Sequence, residues 1–178
     1  MDNYVKECMK MMYSQDEIYE ALGDSTNIVL YSDLIKYNKL EDVFNGSDSV
    51  ILLYQQSKNI GHFNALIKHN KSKVIENFDS YGLSPLDVFD MSRYNTNVSP
   101  KVPALIILMQ DFMKRNKGWK IETNKANIQT SKNSNICGRA CVLRILLKDL
   151  PLKKFTNLFI GQKLPSDYYI TMLTLYIA

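Results

Sequence analysis

Apolar and polar positions along the chain change their period twice, and the changes divide it into helical and strand-like stretches. Ser14-Gln15-Asp16-Glu17 has the form of a capping box, with Ile18, Ala21 and Leu22 following at helical spacing and Gly23 as the stop. A second short helix is expected over Asp33–Phe44. The period then shortens. Val50–Tyr54 reads as a buried strand, and Gly61–His69 and Lys73–Tyr81 as two more. Helical spacing returns with Leu105, Leu108, Met109 and Phe112, at i, i+3, i+4 and i+7, and this helix should end near Asn116-Lys117-Gly118. Trp119–Glu122 fits a further short strand, and Asn127–Ile136 a polar loop. Cys137–Leu147 is apolar on almost every side, the pattern of a central buried helix. Pro151 interrupts it, and one or two helices should complete the chain. Helix, then strands, then helices predicts an α+β layering. No repeat, low-complexity tract or Gly/Ser linker divides the sequence, so residues 1–178 are expected to form a single domain.

Composition narrows the class. The chain has 178 residues, 46% of them apolar and 22% charged, enough to bury a sizeable core and too apolar for intrinsic disorder. The longest apolar stretch, Val102–Met109, contains a proline and is far short of the ~20 residues that span a bilayer. The first twenty residues alternate polar and apolar, unlike a secretory signal, and three cysteines do not make a disulfide framework. The expectation is a soluble protein from a reducing compartment, with no membrane partner. The net charge of +4 is unevenly divided. Residues 1–100 carry 9 Lys/Arg against 14 Asp/Glu, whereas residues 101–178 carry 13 against 4. The basic half could face an acidic partner, nucleic acid included, and could equally be an ordinary solvated surface. The 18 lysines against 4 arginines, with 16 asparagines, are the mark of an AT-rich genome rather than of a mechanism.

Candidate chemistry is sparse, which makes it easier to find. The two histidines, His62 and His69, lie seven apart on one expected strand, so they point to opposite faces and cannot share a metal through it. Cys137 and Cys141 lack the second pair that a structural zinc site requires. Suppose that Asn70-Lys71 is the tip of a tight hairpin. Facing residues then have numbers that sum to 141, and His62 lies opposite Asp79 on the same face. A carboxylate there would hold one imidazole nitrogen and leave the other for a nucleophile. Cys137 stands where the polar loop enters the apolar helix, and a helix N-terminus favours the thiolate. Gly138 beside it would let a substrate backbone come close, while Cys141, one turn deeper, reads as core. The residues alone leave Cys137 open between a buried structural thiol and a nucleophile.

The order of these parts resembles a known family. Gly61-His62-Phe63 opens one strand, Phe78-Asp79-Ser80-Tyr81-Gly82 ends the next, and Gln129 precedes Cys137-Gly138. This is similar to the adenain-like and Ulp1-like cysteine proteases, whose chain order is His, acid, Gln, Cys. The resemblance covers residues of about 50–148. It implies an α+β fold related to papain by circular permutation, its Cys on a central helix against a sheet. It further implies Cys137 as nucleophile, His62 as base and later acid, Asp79 as the orienter, and Gln129 as an oxyanion donor beside the Cys137 N–H. The chain departs from the family in having Phe63 where Trp is usual after the His. It also has a Gln-to-Cys separation of eight, and Arg139-Ala140 after Cys-Gly.

Within that resemblance the small size and AT-rich composition favour a viral maturation protease that cuts capsid or core precursor proteins, acting in the virion or the virus factory of an infected cell. The chemistry requires no cofactor, although the basic half 101–178 would allow activation by DNA, or an acidic peptide, as in some adenoviral relatives. The alternatives are an isopeptidase acting on ubiquitin-like modifiers and a non-catalytic basic module that binds nucleic acid or capsid. The last has no use for a complete His/Asp/Gln/Cys set.

Overall fold

The computed structural model describes residues 2–23, 26–57, 60–93, 102–131 and 133–177. Its five-stranded sheet has the order β1-β2-β3-β4-β5, with β1 Asn27–Leu30, β2 Ser49–Ser57, β3 Ile60–His69, β4 Val74–Asp79 and β5 Lys120–Thr123. The middle strands β2, β3 and β4 are antiparallel, and the edge strands β1 and β5 run parallel to their neighbours. The sheet is therefore mixed, the α+β class that the change of period predicts.

Alternation along the strands builds two cores. Phe63, Ala65 and Ile67 of β3 join Ile51, Leu53 and Phe78 beneath α6 Cys137–Leu146. Leu66, with Val50, Leu52 and Ile75, faces the opposite way, against α3 Leu40–Phe44, α5 Ala104–Arg115 and the 3₁₀ turn Tyr31–Lys36. A helix buried among such side chains is apolar on most sides: Gly138 through Ile145 of α6 are all buried, and the two arginines among them, Arg139 and Arg144, are taken up by Tyr13 and Thr174 and by Glu76. The remaining helices are α1 Asn3–Lys10, α2 Gln15–Leu22, α4 Pro85–Arg93, α7 Leu152–Asn157 and α8 Ser166–Thr174, with α1 packed on α8.

Local signals place several boundaries. Ser14 and Glu17 form the reciprocal capping box of α2, and Gly23, at φ 66°, ends it. Pro151 stands at the N-cap of α7, where a missing N–H costs nothing. The expected helix over Asp33–Phe44 is instead two pieces, the 3₁₀ turn and α3, broken at Tyr37-Asn38-Lys39. Helices α1 and α4 and the four-residue strand β1 have no counterpart in the expectations. All are short, and β1 pairs with β2.

The β3–β4 hairpin also differs from expectation. Its loop is four residues, Asn70–Lys73, and the left-handed residue is Lys73, at φ 55°, rather than Asn70. The Asn70 side chain is engaged elsewhere, donating to the Asp48 carboxylate at 2.8 Å. The longer loop moves the register by two: His69 faces Val74, and Asn64, not His62, faces Asp79. Because side chains alternate with a period of two, His62 and Asp79 stay on one face.

Candidate active site

Helix α6 starts at Cys137, after an Ile136 N-cap that supplies no side-chain acceptor, so the first-turn N–H groups are left without intrahelical partners. The adjoining Gly138 is packed from within: a Cβ built on it would lie 3.0 Å from the Tyr13 Cβ and 3.3 Å from the Phe63 ring. The expectation that this glycine makes room for a substrate backbone is thus corrected, because Tyr13 and Phe63 occupy the space. Phe63 is buried on the α6 side of the sheet. Arg139 is buried too, its guanidinium 4.4 Å over the Tyr13 ring and its Nη1 donating to Thr174 Oγ1 at 3.2 Å. Its stem and cation–π contact fill the space that an apolar side chain would take.

His62, near the start of β3, donates from Nε2 to Asp79 Oδ2 at 2.6 Å. Its other nitrogen is left free of Asp79, and the Cys137 thiol is near enough to act on the imidazole electrostatically. The acid is held on every side. Asp79 Oδ1 accepts from the Tyr81 N–H at 2.8 Å, and Asn124 clamps the Asp79 backbone, its Oδ1 accepting from the Asp79 N–H at 2.8 Å and its Nδ2 donating to the Asp79 carbonyl at 2.6 Å. The turn after Asp79 closes on Gly82, whose N–H donates to the Asp79 carbonyl at 2.9 Å. Gly82 has φ 76°, and a Cβ there would fall 2.9 Å from the Lys125 backbone, so both conformation and space demand glycine.

The electrostatics follow from this chain of contacts. Burial disfavours the imidazolium, but the hydrogen bonds to Asp79 and Cys137 outweigh it and raise the His62 pKa to about 10. Burial likewise opposes the Cys137 thiolate, yet the bond to His62, with contributions from the Phe63 and Gly138 backbone, brings its pKa below the ordinary thiol value. Each group thus shifts the other toward its charged form, the thiol downward and the imidazole upward. Cys141 is fully buried, and burial pushes its pKa well above the ordinary range, the behaviour of a core thiol.

Gln129 lies in the loop before α6 and is buried. Its backbone N–H donates to the Ser80 carbonyl at 3.0 Å and to Asn127 Oδ1 at 2.9 Å, its Oε1 accepts from the Ser80 hydroxyl at 2.7 Å, and its Nε2 donates to the Ser134 carbonyl at 2.8 Å. An amide nitrogen carries two hydrogens, so one N–H of Gln129 remains for another acceptor. The residues just beyond it are anchored by Asp167, at the start of α8, whose buried carboxylate accepts from the Thr130 N–H at 2.9 Å and the Thr130 hydroxyl at 2.8 Å. Tyr81 stands beside His62 with ring centroids 5.1 Å apart. Sequence reading singled out none of Ser80, Tyr81, Asn124 and Asp167. Ser80 and Tyr81 lie inside the Phe78–Gly82 run and were within reach, whereas Asn124 and Asp167 act across 45 and 37 residues and left no local signal.

His69 is placed away from this site, on the α6 face, where its Nε2 lies 3.0 Å from Glu76 Oε2 and a fully buried Arg144 grips the same carboxylate at 2.6 and 2.7 Å. Among the described residues no group of three or more His, Cys, Asp or Glu side chains is placed to hold a metal, and no helix is long and apolar enough to cross a membrane.

No protein-family model matches the chain. Among solved structures it is similar to the Chlamydia trachomatis effector protein Cdu1, determined bound to ubiquitin. The TM-score is 0.50 at 11% identity, covering 94% of this chain and 79% of that one. It also aligns with the C-terminal Ulp1 protease domain determined in complex with SMT3, the yeast orthologue of SUMO, with a TM-score of 0.38 at 17% identity, covering 98% and 76%. The likeness to Cdu1 is one of fold alone, an α+β fold with a mixed sheet. In sequence the chain is 32% identical over 173 residues to the uncharacterized protein V9 of the Sputnik virophage, an alignment that spans 93% of this chain and 95% of V9. With that identity over nearly the whole of both proteins, the chain belongs to the family of the virophage protein V9.

Proposed function

We propose that this protein is a cysteine endopeptidase of the adenain-like kind that cleaves capsid or core precursor proteins during virion maturation. The observation that carries the reading is the 2.6 Å bond between His62 and the buried Asp79, beside a thiol whose pKa the same imidazole lowers. In this mechanism the Cys137 thiolate adds to the scissile carbonyl carbon, and the carbonyl electrons move to oxygen. The free N–H of Gln129 and the backbone N–H of Cys137 stabilise that oxyanion. As the tetrahedral intermediate collapses, the C–N bond breaks, His62 gives its proton to the leaving amine, and a thioester remains on Cys137. Neutral His62 then takes a proton from water, which adds to the thioester, and collapse releases the carboxylic acid and restores the thiolate. Asp79 keeps the imidazole oriented and stabilises its charged form throughout. These residues and water account for every proton and electron pair, so the cycle calls on no cofactor.

The virophage relative supports a viral setting. A protease of this role would act in the virion or in the virus factory of the infected cell, and DNA bound along residues 101–178 would bring it to packaged precursors. The test is a peptide-derived electrophilic probe together with the virus's own capsid and core precursors. Labelling of Cys137 and cleavage of a precursor, both abolished by Cys137→Ala, are expected. Equal labelling of the wild type and Cys137→Ala, with no precursor cut, overturns the reading. Cleavage confined to ubiquitin-like fusions would transfer the same chemistry to an isopeptidase.

A further inference from the structure

The acid turn and the loop that carries Gln129 come together at one side chain. The Ser80 hydroxyl donates to Gln129 Oε1 at 2.7 Å, and the Ser80 carbonyl accepts from the Gln129 N–H at 3.0 Å and from the Ile128 N–H at 2.8 Å. Ser80 is fully buried and follows Asp79 directly. The Ser134 carbonyl, an acceptor only, fixes which end of the Gln129 carboxamide faces it, and Ser80 holds the opposite end. Removing either hold would leave a buried amide end unpaired, free to rotate or draw in water.

We propose that Ser80 is a positioning residue: its hydroxyl fixes the plane of the Gln129 carboxamide and so ties the oxyanion donor to the turn that carries Asp79. The proposal rests on the reading of Gln129 as that donor. A hydrogen bond into the amide oxygen also polarises the amide and makes its free N–H a stronger donor, so the hydroxyl would tune the donor as well as place it. Ser80 would touch neither substrate nor thiol. Through it the two halves of the site, which lie on different elements, would move as a unit.

A double-mutant cycle of Ser80→Ala and Gln129→Ala on kcat and KM tests this, with melting curves showing that each variant folds. Ser80→Ala is expected to lower kcat about tenfold with KM kept, and to have no further effect when Gln129 is already alanine, the signature of two residues acting through one contact. The pH profile of Cys137 alkylation should be unchanged in Ser80→Ala, since the hydroxyl does not bear on the thiol–imidazole pair. Equal losses in both backgrounds, or a shifted alkylation profile, would show a structural role or an effect on Asp79 and overturn the proposal. If Gln129→Ala itself leaves kcat intact, it is the donor assignment that fails. A readout independent of turnover is the Gln129 side-chain amide in a ¹⁵N NMR spectrum. Its two protons should be distinct and slow to exchange in the wild type and lose that protection in Ser80→Ala. An amide pair indifferent to the substitution overturns the proposal whatever the activity.

Discussion

His62 reaches Asp79 along a diagonal of the β3–β4 ladder: Asn64 holds the position directly opposite the acid, and the imidazole leans across to donate at 2.6 Å. Diagonal neighbours on one face lie about 7–8 Å apart, which an imidazole and a short carboxylate can span. The geometry leaves Asp79 Oδ1 to the Tyr81 N–H, so each carboxylate oxygen has its own partner. The acid is thereby held while fully buried.

The sizes of the losses on substitution should separate the roles. Cys137→Ala should reduce proteolysis to background with the fold intact, and His62→Ala should be nearly as severe. Gln129→Ala should lower kcat by about 10²–10³ with KM largely kept. Asp79→Asn should leave measurable turnover, a smaller loss than the roughly 10⁴-fold typical when a serine–histidine pair loses its carboxylate. Steady-state kinetics on one peptide substrate would rank all four, and a Gln129→Ala loss as large as that of Cys137→Ala would contradict the assignment.

The lowered Cys137 pKa and the raised His62 pKa predict a pH window. Alkylation of Cys137 by iodoacetamide should begin at lower pH than for an ordinary thiol, because the interaction with His62 favours the thiolate. Turnover should fall as the pH passes about 10, where His62 loses the proton it must give to the leaving amine. In His62→Ala, burial acts on the thiol without its partner, and the alkylation limb should move upward. Superimposable limbs for wild type and variant would exclude the pair.

Arg144 and Glu76 supply a stability test remote from the thiol. Arg144→Ala strands a buried carboxylate and should cost about 3–5 kcal/mol in denaturant unfolding. Burial opposes the Glu76 carboxylate, but the bonds from Arg144 and His69 prevail and lower its pKa below 4.5. Its contribution is therefore complete above 4.5 and lost as the pH falls through the folded-state value. Wild-type stability should drop in acid through that range, and a variant with Glu76→Gln should show a shallower drop.

Any activation by DNA should depend steeply on salt. If DNA engages residues 101–178, binding should weaken markedly between about 50 and 200 mM salt, as released counterions dictate. Lysines must carry the contact: Arg139 and Arg144 are buried, and Arg115 is occupied by Glu41 and Asp111. Lys101 and Lys132 lie outside the described residues. Turnover that ignores both added DNA and salt would remove DNA from the mechanism and leave the protease reading as it stands.

Much of the fold was legible because burial writes a period into the sequence. The apolar run Val50–Tyr54, the helical spacing from Leu105 to Phe112 and the segment Cys137–Leu147, apolar on almost every side, each named their element within a residue or a few. The capping box at Ser14 did so by local hydrogen bonding alone. Strand β1 and helices α1 and α4 were not legible, since four residues of strand and helices of eight or nine residues carry too little period to stand out. The hairpin register was not legible for a different reason. Loop conformation depends on what the loop touches, and Asp48, 22 residues away, occupies the Asn70 side chain.

The sequence by itself determined the faces: parity placed His62 with Asp79 and apart from His69, and a slip of two residues could not undo it, because alternation repeats every two. It also determined that Cys137 stands at the mouth of a buried helix and Cys141 inside it. Only the tertiary structure decided how these groups are held. The diagonal reach of His62, the Asn124 clamp on Asp79, the Ser80 bond to Gln129 and the Asp167 anchor join residues 17 to 49 positions apart. Such contacts have no period and no local propensity. They exist because burial leaves a polar group no partner but the one that the packing brings to it.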